Sequence, residues 1–128
     1  MKTDIGSRAD LKLLMETFYG KLLADASISY LFTDIAKIDL TKHLPVLVDF
    51  WESILFQADT YRKNAMKIHT DLHKQSPLQA QHFKTWLGYF HETVDELFEG
   101  EKAELVKQRA TSIATVMQIK IIQQDKQE

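Results

Sequence analysis

The sequence predicts an all-α protein of five or six helices, and three observations lead to that prediction. Apolar residues recur at helical spacing along most of the chain, and no segment alternates as a strand does. Glycine and proline are scarce, with four and two copies among 128 residues, which favours long helices over a turn-rich β fold. A chain of this length corresponds to about one domain. We therefore expect a single domain over residues 1–128, with residues 1–6 and 123–128 as flexible ends.

The composition excludes several classes of protein. Sixteen basic residues and eighteen acidic ones leave a net charge of −2, and without a basic excess general binding to nucleic acid is not expected. The absence of cysteine excludes disulfide scaffolds, thiol nucleophiles and iron–sulfur clusters. No apolar stretch approaches the roughly 20 residues of a membrane span, and the N-terminus lacks the apolar region of a signal peptide. We expect a cytoplasmic protein that binds no membrane.

The first two helical segments are separated by a polar break. The first runs from about Ser7, which is placed to act as its N-cap, to Leu23. Its apolar stripe consists of Leu11, Leu14, Met15, Phe18 and Leu22. The run Asp25-Ala26-Ser27 ends this pattern, and a short helical piece follows that carries Ile28, Leu31, Phe32 and Ile35.

The next two helices each carry a histidine on an apolar face. The third helix is predicted from about Leu40 to Phe56, with Pro45 near its start, where a missing backbone donor costs least. One face of it presents His43, Leu47, Phe50, Trp51 and Ile54. A shorter helix is predicted from Asn64 to His73, and its stripe consists of Ala65, Ile68, His69 and Leu72.

The last two helices have the clearest boundary signals. Ser76-Pro77-Leu78-Gln79 combines an N-cap serine, a proline at the first helical position and a capping-box glutamine. The helix it opens carries Phe83, Trp86, Leu87, Phe90, Val94 and Leu97 on one face and ends at Gly100. The final helix is expected from about Lys102 to Ile122, with Val106, Ala110, Ile113, Met117 and Ile121 facing the core.

Histidines and other donors that interrupt the apolar stripes are the candidates for chemistry. His69 lies within a stripe, where a histidine is more often a packed core residue than a ligand. His73 follows one turn later, and two histidines at this spacing can bind zinc, although no third ligand is obvious. Tyr19, His43 and Trp86 are boundary residues on three helices, or three hydrogen-bond donors around a pocket that His69 faces. We expect His82 and His91 to be surface histidines.

The order and spacing of several segments resemble the truncated globins, specifically the third group of that family found in bacteria. The resemblance extends from about Leu11 to Met117. The segments that carry it are Leu14–Tyr19, Tyr30-Leu31-Phe32, His43 with Phe50-Trp51, Ile68–Leu72, His82–Leu87 and Gln108–Ala114. The chain also lacks the Gly-Gly pairs of the first two groups.

This resemblance implies a two-over-two helical sandwich around haem b. It assigns His69 as the axial ligand of the haem iron, with His73 as the alternative one turn away. Tyr19, His43 and Trp86 match the family's distal residues, which face a bound gas, and His43 could itself coordinate the iron. The cofactor-binding wall is expected to consist of Phe32, Leu47, Trp51, Ile68, Leu72, Phe83 and Trp86, with Trp51 serving either as core or as haem wall.

The expected ligands are O2, NO, CO or peroxide, and the resemblance favours redox chemistry or sensing over bulk oxygen storage. Nitric oxide dioxygenase or peroxidase-like activity would need electrons from an unidentified reductase. We expect a monomer or a weak homo-oligomer. Two alternatives stay open: a cofactor-free helical bundle that binds a partner protein, and a zinc hydrolase that uses His69 and His73.

Overall fold

The computed structural model describes residues 2–56, 73 and 78–127, with side chains through residue 122. These residues form helices α1 (Arg8–Ala24), α2 (Ala26–Tyr30), α3 (Leu40–Phe56), α4 (Ala80–Leu97) and α5 (Glu101–Gln127). A π-helical turn, Leu31–Ile35, directly follows α2. Within the described ranges there is no strand, so the all-α prediction is confirmed. None of these helices is long and apolar enough to cross a membrane.

Local sequence signals set the ends of the early helices. The backbone N–H of Asp10 donates to the Ser7 hydroxyl at 3.4 Å, so Ser7 caps α1 as predicted. Asp25 ends α1 and begins α2, where its carboxylate accepts from the backbone of Ser27 at 2.9 Å. The predicted bounds of α3 are confirmed, with Pro45 inside its early turns. Of the predicted Asn64–His73 helix, only His73 lies within the described residues.

The start of α4 differs from the prediction. The N-cap is Gln79, with extended backbone angles, and the helix begins at Ala80 rather than after Ser76. The imidazole of His82 accepts the Gln79 backbone N–H at 3.0 Å. Histidine therefore fills the position that Glu or Gln takes in a common capping box. At the other end of the chain, α5 continues to Gln127, five residues beyond the predicted end at Ile122.

An aromatic cluster joins α1, α3 and α4. Phe90, which is fully buried, stacks on Trp51 and on Trp86 with ring centroids 5.1 and 5.6 Å apart. Phe18 meets the edges of Phe90 and Trp86 in T-shaped contacts at 5.2 and 5.6 Å. Such pairs add to the free energy gained from burying the rings. The cluster fixes the faces of the three helices relative to each other, and α5 packs against α4 and α3.

The N-terminal segment is anchored to the corner between α4 and α5. The Asp4 carboxylate accepts the backbone N–H groups of Lys102 and Ala103 at 3.0 and 2.9 Å, so it caps a helix that begins nearly a hundred residues later. Ile5 is buried in the core. Gly100 has a φ of +148°, and a Cβ there would stand 2.5 Å from the Asp4 side chain. These contacts tie residues 4 and 5 to the corner between α4 and α5.

Candidate functional site

A cavity of about 210 Å³ lies between the helices, and each of α1 to α5 and the π-helical turn contribute to its wall. The lining is mostly aliphatic and aromatic. Its polar groups are the phenol of Tyr19, the imidazoles of His43 and His82, and the indole of Trp86. An apolar chamber with a few converging donors is the usual form of a small-molecule or cofactor site.

Tyr19 and His43 form a hydrogen-bonded pair in this wall. The Tyr19 hydroxyl lies 3.2 Å from His43 Nε2, and the two rings meet edge to face at 5.6 Å. Tyr19 is only 4% exposed, and burial raises its pKa well above the ordinary value. The hydroxyl therefore keeps its proton throughout the physiological pH range and remains a hydrogen-bond donor.

The indole of Trp86 reaches the cavity from α4 and is held from both sides. It stacks on Phe90 and makes a T-shaped contact with Phe18. Because these neighbours are fully buried, the indole orientation is set by core packing. The structure thus brings together on one cavity the three predicted distal residues, which come from α1, α3 and α4.

Four other predicted wall residues also line the cavity. Phe32 lies on the π-helical turn and meets Tyr19 edge to face at 5.5 Å, and Leu47 and Phe83 lie on α3 and α4. Trp51 lines the cavity and also stacks on Phe90 in the core, so it fits both interpretations made for it. The predicted residues Ile68, His69 and Leu72 lie outside the described residues.

His82 is a cavity residue, and the prediction that it lies on the surface is wrong. It is half-buried and lines the cavity, and its Nε2 lies 2.9 Å from the Tyr30 hydroxyl on α2. Burial lowers its pKa. The Ser76-Pro77 pattern predicts an earlier start for α4, and that start does not place His82 beside the N-cap. His91, also on α4, is partly exposed and does not line the cavity, and its Nε2 lies 3.1 Å from the Thr111 hydroxyl on α5.

The hydrogen bonds of His73 define its protonation pattern. It is 9% exposed, and its Nδ1 accepts the backbone N–H of Leu78 at 2.8 Å. An accepting Nδ1 carries no proton, so the neutral ring carries its proton on Nε2. As for zinc, the described part of the chain holds no group of three His, Cys, Asp or Glu side chains that could bind a metal ion.

Comparisons with known proteins agree with this architecture. A family profile described as bacterial-like globin matches residues 3–121. The group 3 truncated hemoglobin of Campylobacter jejuni is 26% identical over 121 residues, which cover 92% of this chain and 93% of that protein. The crystal structure of the group III truncated hemoglobin from Campylobacter jejuni superposes with a TM-score of 0.83 and 27% identity. That superposition covers 94% of this chain and 95% of the other. The fold is that of a truncated globin, and the chain belongs to the bacterial-like globin family.

Proposed function

We propose that the cavity binds haem b and that the protein binds O2, NO and CO at the polar side formed by Tyr19, His43 and Trp86. The observation that carries this proposal is the part-buried Tyr19–His43 hydrogen bond in the wall of an otherwise mostly apolar cavity. Membership of the globin family supports a haem-binding role in general. The ligands and the roles of individual residues rest on the chemistry of the cavity wall.

The lining fits a flat, mostly apolar macrocycle. Phe32, Leu47, Phe83 and Trp86 would hold the ring by apolar and aromatic contact, and all four line the cavity. Burying a large apolar surface is the main source of affinity for such a group. When bound, haem supplies an iron atom with an open position for a diatomic ligand.

His69 is the stronger candidate for the axial ligand, and the geometry of His73 supports this choice. A histidine ligates a metal through an unprotonated nitrogen, usually with a proton on the other one. In His73 the unprotonated nitrogen is Nδ1, and it already accepts the Leu78 N–H. Ligation by His73 would therefore require breaking this bond. The family resemblance assigns the axial role to His69.

The distal side chains act as preorganised donors. The Tyr19 hydroxyl keeps its proton because burial raises its pKa, and the aromatic contacts of Trp86 hold its indole in place. Donors that are already oriented toward developing negative charge stabilise it without reorganisation. With its proton on Nε2, His43 donates to the Tyr19 oxygen, which holds the hydroxyl in place and leaves its proton free to point toward a bound ligand.

Strong donors favour retention of oxygen over its rapid exchange. We therefore infer redox chemistry of oxygen, nitric oxide or peroxide, or sensing, rather than bulk storage. Turnover as a nitric oxide dioxygenase or as a peroxidase would require an electron donor, here an unidentified reductase of the cytoplasm. The protein would act as a monomer or as a weak homo-oligomer.

The rates of gas release test the proposed site. A hydrogen bond to a charged or polarised group is worth about 1.5–3 kcal/mol, so Tyr19→Phe and Trp86→Phe should each speed oxygen release about ten- to a hundredfold. Carbon monoxide is less polarised, and its release should change less. We expect His43→Leu to have a smaller or different effect, since His43 lies near the start of α3. Stopped-flow dissociation measures all three variants, with His91→Gln on the surface of α4 as the control. Equal changes for both gases would show that these residues act by sterics alone.

A further inference from the structure

The Tyr30–His82 pair is a second polar element of the cavity wall, separate from the distal pair. Tyr30 lies on α2 and His82 in the first turn of α4, and they meet at 2.9 Å. On its other side the His82 ring accepts the Gln79 backbone N–H at 3.0 Å. One imidazole thus joins the N-terminus of α4 to α2 through both of its nitrogens.

The protonation pattern of His82 follows from these partners. A backbone N–H can only donate, so Nδ1 is unprotonated, and the neutral ring carries its proton on Nε2. Nε2–H then donates to the Tyr30 oxygen. If the ring gained a second proton, Nδ1–H would point at the Gln79 N–H, and that hydrogen bond would be lost.

We propose that His82 is a pH-sensitive positioning residue, which holds the cavity-facing start of α4 when it is neutral and releases it when protonated. Phe83 and Trp86 follow it within one turn of α4 and line the cavity, so loosening this turn changes the wall directly. The inference concerns the wall and does not depend on what the cavity holds.

The surroundings of His82 favour its neutral form. An added positive charge in the first turn of an 18-residue helix opposes the helix dipole, and burial lowers the pKa of the imidazole. The facing titratable group on α2 is Tyr30.

Among the residues that the structure describes, the other elements bring few charges to this site. On α4 itself the neighbouring Lys84 is exposed. From α1 and α3 the titratable groups of the cavity wall are Tyr19 and His43, which bond to each other. The side chains that α5 contributes, Ile113, Ala114 and Met117, are uncharged.

Two substitutions separate the hydrogen bonds of His82 from its titration. His82→Gln keeps a side chain that can accept the N-cap N–H, as in a common capping box, but it does not titrate. Tyr30→Phe removes the partner on α2 and leaves the cap. His91→Gln removes a surface histidine from the same helix and serves as the matched control.

Hydrogen exchange followed by mass spectrometry on the full chain as purified tests the proposal. The measured exchange rates are corrected for the intrinsic exchange rate of an unprotected amide at each pH. The protection of the amides of residues 79–86 should then fall about tenfold between pH 7.5 and about pH 5. The His91→Gln protein should show the same fall, and the His82→Gln protein should show little. A fall of equal size in His82→Gln would overturn the proposal.

The protonation pattern can be read without any substitution. Nitrogen-15 NMR of the imidazoles in the full chain, saturated with carbon monoxide, should show His82 at neutral pH with its proton on Nε2. A His82 that is protonated on Nδ1 at that pH would contradict the proposal even if every variant folded poorly. The absorbance spectrum of the same sample reports haem binding independently. A protein that binds no haem would therefore be distinguished from one whose His82 carries its proton on the other nitrogen.

Discussion

His69 and His73 lie four residues apart in the sequence, and the hydrogen bond that His73 makes with Leu78 bears on which of them binds the iron. Because the Leu78 N–H occupies the unprotonated nitrogen of His73, we expect His69→Ala to weaken haem retention strongly. His73→Ala should retain haem, with at most a loss of stability. Haem retention during gel filtration, read from the absorbance ratio of haem to protein, compares the two variants. Loss of haem in His73→Ala with retention in His69→Ala would reverse the assignment.

Burial of Tyr19 also predicts a pH effect on stability. Its pKa is higher in the folded protein than in the unfolded chain because burial disfavours the phenolate. The stabilisation is thus complete below the unfolded pKa of about 10 and is lost as the pH rises beyond it. The free energy of unfolding of the wild type should therefore fall more steeply above about pH 10 than that of Tyr19→Phe. Urea titrations at a series of alkaline pH values measure this, and parallel curves for the two proteins would show that Tyr19 ionises freely.

At the scale of the helices, the Asp4 cap of α5 is a contact between distant parts of the chain. Removing an N-cap carboxylate costs about 1 kcal/mol, so Asp4→Ala should destabilise the protein by about that amount at neutral pH. Glu99→Ala removes an exposed acidic side chain from the same corner and is the control. Urea denaturation gives both values, and equal stabilities for the two variants would mean that the cap contributes nothing.

The same cap has a defined pH dependence. Burial by itself raises the Asp4 pKa, but hydrogen bonds from Lys102, Ala103 and Ile5 outweigh it and hold the pKa below its ordinary value. A carboxylate whose pKa is lowered by folding stabilises the folded state at pH values above its unfolded pKa of about 4. This contribution is lost as the pH falls. The gap in stability between wild type and Asp4→Ala should therefore narrow in acid.

The helices that could be predicted from the sequence are those defined by local signals. The cap at Ser7 and the apolar stripes place α1 and α3 within about one residue of the structure. The start of α4 could not be predicted this way. Ser76-Pro77 is a strong local signal for an earlier start, whereas the actual N-cap, Gln79, is paired with a histidine in place of the usual Glu or Gln. The role of Asp4 was also missed, because the backbone N–H groups that it caps belong to Lys102 and Ala103, which are 98 and 99 residues later in the chain.

In the candidate site too, the residues that were predicted differ from those that depend on contacts between distant parts of the chain. Tyr19, His43 and Trp86 lie on or beside apolar stripes, and the family resemblance marks them as distal residues. The structure places all three on one cavity. His82 was missed because its partner Tyr30 lies 52 residues earlier and only the tertiary fold brings them together. Sequence periodicity detects which residues face inward, whereas it does not detect which inward residues meet.

At the scale of the whole molecule, we propose that this globin fold encloses a haem site. A ligand that binds only the folded state stabilises it by mass action. Addition of haem should therefore raise the melting temperature and the helical signal in circular dichroism. An apoprotein as stable and as helical as the haem-loaded protein would support a cofactor-free bundle instead.

The most direct test is titration of the purified full chain with haem, followed by absorbance. We expect an intense Soret band that saturates at one haem per chain, and a shift of that band when carbon monoxide is added to the reduced protein. His91→Gln should behave as the wild type does. A chain that gives no saturable Soret band, and whose circular dichroism is unchanged by haem, would show that this fold does not bind haem.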